Sequence, residues 1–247
     1  MAGQESSHRT LVRVTNLTKR YGALSALSDV SFSIREGEVL GLIGPNGSGK
    51  TTLFECLAGV LPADGGAVWS DPPARKGTGG GRPILFYLPD AIAPWPAQTV
   101  RWALAFVAGF FGGDAGARDE VVRRFELEPI LDSAIGSLSK GQRKRALLAM
   151  SLLTPQPILL SDEPFDGLDL RQTREVAAAL RAHAANGRTL LLSIHQIADA
   201  ARICDRFVLL SGGRVCGEGT LPELSALAAA RGSSAGDNLE EVFLALT

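Results

Sequence analysis

Gly44-Pro45-Asn46-Gly47-Ser48-Gly49-Lys50-Thr51 fits G-x-x-x-x-G-K-[ST], the pattern of a phosphate-binding loop. Its flanks fit as well. Glu38-Val39-Leu40-Gly41-Leu42-Ile43 reads as a short buried strand, and Thr52-Leu53-Phe54-Glu55-Cys56-Leu57-Ala58 as a helix. Glycines let the backbone curl so that successive N–H groups point at phosphate oxygens. The helix that follows offers its positive end to the same anion. In such a loop Lys50 reaches the β- and γ-phosphates, and the Thr51 hydroxyl ligates Mg²⁺. A glycine-rich turn with a chance lysine is the plain alternative, but it leaves the agreement of both flanks unexplained.

The rest of the chain bounds the reading. Its 247 residues allow one large domain or two small ones, with length enough for a real core. Basic and acidic residues number 25 and 26, a balance that argues against bulk binding to nucleic acid. The three cysteines, Cys56, Cys204 and Cys216, are widely spaced and show neither metal nor disulfide spacing, so a reducing cytosol is the simpler setting. No stretch approaches the ~18–20 apolar residues of a membrane span. Residues 1–10 are polar and read as a flexible tail, leaving 11–247 as a single domain. Any membrane span has to come from another chain.

Leu11 to Leu17 and Val30 to Ile34 alternate at period two, as half-buried strands do, with a turn expected over Thr18–Gly22. They suggest a small antiparallel layer ahead of the phosphate loop. Gly59 stops the loop helix, and a strand follows around Val68. Asp71 to Gly81 is Pro/Gly-rich and reads as a flexible loop, followed by a strand over 84–88. Thr99 caps a helix through about Phe111, a second helix spans 117–127, and a third runs from Ser139 to Leu153. Ile158 to Asp162 is a continuous apolar run ending in acid, as in a central parallel strand. Helix 171–185, strand 189–194, helix 196–203 and strand 207–210 continue an α/β alternation, and helices near 221–230 and 238–246 close the chain.

Asp162 and Glu163 form the second motif. A strand-end aspartate opposite a phosphate loop can hold Mg²⁺ directly or through water. Glu163 is then placed to polarise an attacking water. Two adjacent acids are costly to bury without a cation, and chance surface acids are the bland alternative.

The third motif is Leu138-Ser139-Lys140-Gly141-Gln142, about ninety residues beyond the phosphate loop and about twenty before Asp162. With it the chain resembles the nucleotide-binding subunit of an ATP-binding-cassette (ABC) transporter, in particular the ABC-2 type exporter ATP-binding proteins. The resemblance covers about residues 11 to 220, with the motifs in the family's order and spacing. It implies an α/β fold: a P-loop NTPase core with a mainly parallel central sheet, an N-terminal antiparallel β layer and an inserted helical subdomain. The core and β layer would take 11–89 and 156–220, the helical and signature part 90–155, and C-terminal helices 221–247. It also implies roles. Tyr21 matches the aromatic that stacks on adenine, and Gly44 to Thr51, with Thr52, the phosphate loop. Asp162 matches the Mg²⁺-associated aspartate, Glu163 the general base and His195 the switch histidine at the γ-phosphate. Ser139, Gly141 and Gln142 match the signature, which contacts ATP bound by the other subunit of a dimer, and Asp169 the loop that communicates across it.

Each match has a plainer reading. Ser139 could be an ordinary N-cap, His195 a satisfied structural histidine and Tyr21 a stray aromatic. Three positions depart from the family, the mildest being Ser161, which breaks the apolar run before Asp162. Asp90 stands where glutamine is usual, as a candidate metal contact that cannot donate a hydrogen bond as an amide does. Lys140 stands where glycine is commonest, so it either points away from the phosphate contact or adds a cation to it. The resemblance implies ATP and Mg²⁺ as cofactors, hydrolysis by Lys50, Glu163 and His195, and a cassette dimer. It also implies a separate transmembrane permease subunit and a peripheral place on the cytoplasmic face of the membrane. Tyr87 to Asp90 and Leu239-Glu240-Glu241-Val242-Phe243 favour an exporter. Trp95, Trp102, Phe106, Phe110 and Phe111 are candidate contacts for the permease, unless they fill the helical block's own core. The rival reading is a non-transport ABC ATPase with a regulatory or nucleic-acid-associated role. A clamp of that kind needs a long coiled coil between loop and signature, and that interval holds only short helices.

Overall fold

The computed structural model describes residues 9–71, 84–113, 115–233, 236 and 238–247. The tail residues 1–8 and most of the Pro/Gly-rich loop, 72–81, fall outside the described residues.

β1 (Thr10–Tyr21) and β2 (Leu24–Arg35) form an antiparallel hairpin whose closing pair is Tyr21 and Leu24. After β3 (Val39–Ile43) and α1 (Lys50–Ala58), β4 (Gly65–Ser70) pairs with the other edge of β1, giving a three-stranded layer in the order β2-β1-β4. The turn expected over 18–22 is therefore shorter than the sequence suggests. Asn16 takes φ +50° and the register shifts between Val14 and Leu17, so the alternation breaks at a bulge while the strand carries on.

β5 (Leu85–Leu88) leads through α2 (Val100–Phe111), α3 (Ala115–Arg124) and α4 (Lys140–Leu152) to β6 (Ile158–Asp162). Then come α5 (Leu170–Ala185), β7 (Thr189–Ile194), α6 (Ile197–Ile203), β8 (Arg206–Ser211), β9 (Arg214–Gly219), α7 (Leu221–Ala230) and α8 (Leu239–Leu246). The second sheet has the order β5-β6-β7-β3-β8-β9. Its strands are parallel except β9, which runs antiparallel to β8. β9 is an element the sequence reading lacks. The helix expected over 117–127 ends at Arg124, and Glu126 turns the chain at φ +48°.

The central strands are buried along their length and mostly apolar because both faces of the sheet are covered. On β3, Val39 and Ile43 join a core with the helical block and the C-terminal helices, while Leu40 and Leu42 join one with α1 and the β layer. β7 divides in the same way, Leu190, Leu192 and Ile194 against Leu191.

The β layer is also tied to the sheet by charge. Arg206 on β8 is buried and donates to both oxygens of Glu38, at 3.1 and 2.8 Å, and to Glu218 Oε1 at 2.5 Å. Glu218 Oε1 in turn accepts from the Ser33 N–H and hydroxyl on β2. Burial pushes the Glu38 carboxyl above its ordinary range, opposed by the Arg35 N–H and the Arg206 guanidinium. Replacing Arg206 by Met strands a buried carboxylate. The expected loss is about 3–5 kcal/mol of unfolding free energy in a urea titration; a loss under about 1 kcal/mol would show that the triad does not hold the layers together.

Candidate active site

The loop after β3 is built so that only glycine fits at its tight points. Gly47 and Gly49 take φ +79° and +105°. A Cβ on Gly44 would stand 2.2 Å from the Leu210 carbonyl oxygen, and one on Gly49 would stand 2.6 Å from that of Ala26. Inside the loop the Ser48 N–H donates to the Pro45 carbonyl at 3.1 Å, and the Gly213 N–H donates to Ser48 O at 3.1 Å. With Gly49 as N-cap, no side chain caps the first turn of α1. Its N–H groups stay available to an anion.

Lys50 is buried. Its ammonium donates to Gly44 O at 2.8 Å and Pro45 O at 3.3 Å and lies 3.6 Å from Glu163 Oε1. Thr51 Oγ1 donates to Asp162 Oδ2 at 2.7 Å. The other oxygen of Asp162 accepts from the Ser193 hydroxyl, which itself accepts from the Glu163 N–H at 2.9 Å. Parallel pairing makes this geometry: Asp162 on β6 lies opposite Ser193 on β7. Glu163 holds φ +48° directly before Pro164, a strained backbone for a residue with a side chain. His195 Nδ1 stands 2.5 Å from Glu163 Oε2.

Tyr21, Asn46, Gly47, Gly49, Lys50, Thr51, Thr52, Asp90, Asp162 and Glu163 line one cleft of about 510 Å³. Gly44, Pro45 and Ser48 belong to the same loop but do not line the cleft, and His195 reaches it through Glu163. Leu24, Ser25, Ala26, Gly212 and Gly213 also line it, and none of these was singled out from sequence. Ser193 is the more telling omission. It is a fully buried hydroxyl in an apolar strand, and that break in the run was its signal.

Ser139, Gly141, Gln142 and Asp169 are elsewhere. They line a second cleft of about 490 Å³ that shares no residue with the first. Ser139 caps α4, its hydroxyl accepting from the Gln142 N–H at 3.2 Å while Gln142 Oε1 accepts from the Ser139 N–H at 3.0 Å. Asp169 caps α5 through the same reciprocal pair with Gln172. Gly141 packs on the Gly167 carbonyl oxygen, which a Cβ would approach to 2.7 Å. Lys140 lines the same second cleft. It crosses Gly167 and pairs with Asp166 at 2.5 Å, which holds the Asp166 carboxyl below its ordinary range.

Asp90 sits on the wall of the first cleft, with Oδ1 accepting from the Lys144 ammonium at 2.6 Å. Among the described residues no group of three or more His, Cys, Asp or Glu forms a metal centre. The Thr51 hydroxyl and Asp162 carboxylate are hard oxygen donors facing each other, which suits an ion such as Mg²⁺ that keeps most of its shell from phosphate and water. Ser193→Ala would leave both Asp162 Oδ1 and the Glu163 N–H short of a partner. It is expected to cost about 1–3 kcal/mol by thermal or urea unfolding; an unchanged midpoint would contradict the bridging role.

The ABC transporter family pattern matches residues 27–166, more than half of the chain. The probable multidrug ABC transporter ATP-binding protein YbhF of Escherichia coli K12 is 32% identical over 225 residues, covering 89% of this chain and 39% of the relative. The chain thus spans well under half of that relative's length. The Nod factor export ATP-binding protein I of Burkholderia orbicola is 34% identical over 209 residues, covering 83% and 69%. A solved ATP-binding subunit of an ABC transporter is 30% identical and superposes with a TM-score of 0.84 over 96% of this chain and 99% of that one. A family pattern over most of the site, relatives at this identity and a shared fold from end to end agree: the chain belongs to the ABC transporter family, as one of its ATP-binding subunits.

Proposed function

We propose that this chain hydrolyses ATP to drive transport, most directly export, through a separate membrane-spanning subunit, and that two cassettes close on two ATP molecules. One observation carries the pairing. The loop and the acids line one cleft, with His195 bonded to Glu163 at its edge, and Ser139, Gly141 and Asp169 line another. A single ATP meets both sets only if a second cassette brings its Ser139 face to the first cleft. Export is supported by relatives whose printed names concern multidrug and Nod factor export. No helix among the described residues is long and apolar enough to cross a membrane, and the passage is assigned to the partner.

In the mechanism Tyr21 stacks on adenine, the free loop N–H groups between Asn46 and Thr52 hold the phosphates, and Lys50 bridges the β- and γ-phosphates. Thr51 and Asp162 would hold Mg²⁺, which would supply charge neutralisation at the phosphates, with Asp90 at the rim of the same cleft. Glu163 orients a water for in-line attack and accepts its proton. The water oxygen bonds to the γ-phosphorus as the bond to the β,γ-bridging oxygen breaks, and ADP leaves with that oxygen. His195 keeps Glu163 turned to the cleft and faces the γ-phosphate. Ser139, Gly141 and Gln142 present the α4 start to the partner's ATP, and Asp169 lies at the junction of the pair. Positioning and charge neutralisation supply most of the acceleration.

The partner's seat is the groove between β5, α2 and α4. It is an apolar hollow of about 380 Å³ whose wall includes Trp95, Phe106 and Phe110. The aromatics stack in a ladder, Trp102 on Phe106 at 5.1 Å and Phe106 on Phe110 at 6.2 Å between centroids. Phe110 is 73% exposed, so it adds little to the fold of the block.

Glu163→Gln is expected to bind ATP, slow its hydrolysis by about 100-fold or more, and accumulate a dimer on gel filtration with ATP. Undiminished turnover removes Glu163 from the role. Tagged chain expressed at native level is expected to bring down a polytopic membrane protein in stoichiometric amount from gently solubilised membranes. Phe110→Asp should lose that partner while keeping ATP hydrolysis; a mutant that retains the partner would place the docking seat elsewhere.

A further inference from the structure

The departure at position 90 has a counterpart across the groove. Lys144 lies on α4, the helix that Ser139 caps, and its side chain is only 6% exposed. A buried ammonium is tolerated when a charge or several acceptors meet it. The partners here are Asp90 Oδ1 at 2.6 Å and, more weakly, the Asp162 carbonyl oxygen at 3.5 Å. Asp90 itself is 32% exposed and opens onto the ATP cleft. A glutamine at position 90 would leave Lys144 without an anionic partner. Asp90 and Lys144 therefore make one unit in which the acid replaces the amide because a lysine lies beneath it.

The position of the pair gives it a function. Two residues before Asp90, Leu88 ends β5 and lines the apolar groove; one turn after Lys144, Leu147 lines the opposite wall. The ion pair thus joins the two walls of the groove at their cleft end. Toward its start the same helix carries Gly141 and Ser139, which face the second cleft. A shift of the loop at Asp90 is passed through a rigid contact to α4 and so to both groove and signature.

We propose that Lys144 is a positioning residue for ATP hydrolysis. Its ion pair with Asp90 locks the exit of β5 to α4, so that the ATP cleft, the apolar groove and the Ser139 face keep one relative placement. The inference rests on the ATPase reading above. Lys144 does not line the ATP cleft; it acts through Asp90 and the helix.

The test is a double-mutant cycle on the full chain, with turnover, KM for ATP and thermal midpoint measured for Lys144→Met, Asp90→Asn and the double variant. Each single change is expected to lower kcat about tenfold or more with KM within about threefold, because misplacement of reacting groups lowers turnover before it lowers binding. The double variant should be no worse than the poorer single, since both remove the same contact. A Lys144→Met chain with a lower midpoint but unchanged kcat per folded molecule would reduce the pair to structural support and overturn the proposal, as would losses that simply add. If Lys144→Met does not fold, Asp90→Gln with Lys144→Gln leaves no buried charge unpaired. In that chain a kcat lowered about tenfold supports the lock and an unchanged kcat rejects it. A wild-type chain without turnover defeats the ATPase reading as well, whereas turnover that survives Lys144→Met defeats this inference alone.

Discussion

A carboxylate buried at a strand end has to be met on both oxygens, and the way Asp162 is met orders the site around it. Thr51 approaches one oxygen from the start of α1, and Ser193 approaches the other from β7. Three elements far apart in sequence are thereby fixed to within a hydrogen bond of one another. Ser193 adds a second constraint by accepting the Glu163 N–H, which holds Glu163 in a left-handed backbone that its own side chain and Pro164 disfavour. From that backbone the Glu163 carboxylate reaches both Lys50 and His195. Displacing Asp162 would therefore disturb Thr51, Ser193 and Glu163 together.

The fold supplies the rigidity that such an arrangement needs. β3, β6 and β7 lie side by side, each covered on both faces, and their C-terminal ends carry the loop, the acids and the histidine. Binding at the carboxyl ends of parallel strands is the general habit of open α/β sheets. The Glu38–Arg206–Glu218 triad fastens the outer layer to this sheet by charge where β2 and β9 come close. Ala26, on β2, approaches Gly49 and Gly213, so the layer also packs directly on the loop. A shift of the β layer would therefore be felt at the phosphates.

Much of this was legible in the sequence because it is local. Gly44 to Thr51 carries its own torsional demands, the β6 run carries its burial, and the bounds of β6 and β7 fall where the apolar runs stop. Contacts between distant residues were not legible. Lys144 and Asp90 are separated by 54 positions, and each alone reads as a solvated charge or a family deviation. Ser193 showed only as a break in an apolar run, and its role was not legible because it depends on the register of β6 against β7. β9 was missed because Arg214 to Gly219 carries two glycines and no apolar run; it exists as an edge strand on β8, stabilised by pairing and not by propensity. β1 was cut short because a bulge at Asn16 interrupts the alternation on which strand assignment depends.

The aromatics of α2 illustrate how burial divides one sequence feature into two. Five large rings between Trp95 and Phe111 could have formed the core of the helical block, and the sequence left that open. The core of that block is instead aliphatic on its α2 side, with Val100, Ala103, Leu104 and Val107 facing inward. The rings of Trp102, Phe106 and Phe110 stack along the outside with Trp95 meeting them edge-on, all 39–73% exposed. Thr99 and Gly112 close the helix at both ends without help from those rings. The fold therefore does not require them where they stand, and contiguous exposed apolar surface beside a groove marks an interaction site. The groove they border is lined by Leu88 and Leu147, close in the chain to Asp90 and Lys144, so what fills it bears on the wall of the first cleft and on α4 together.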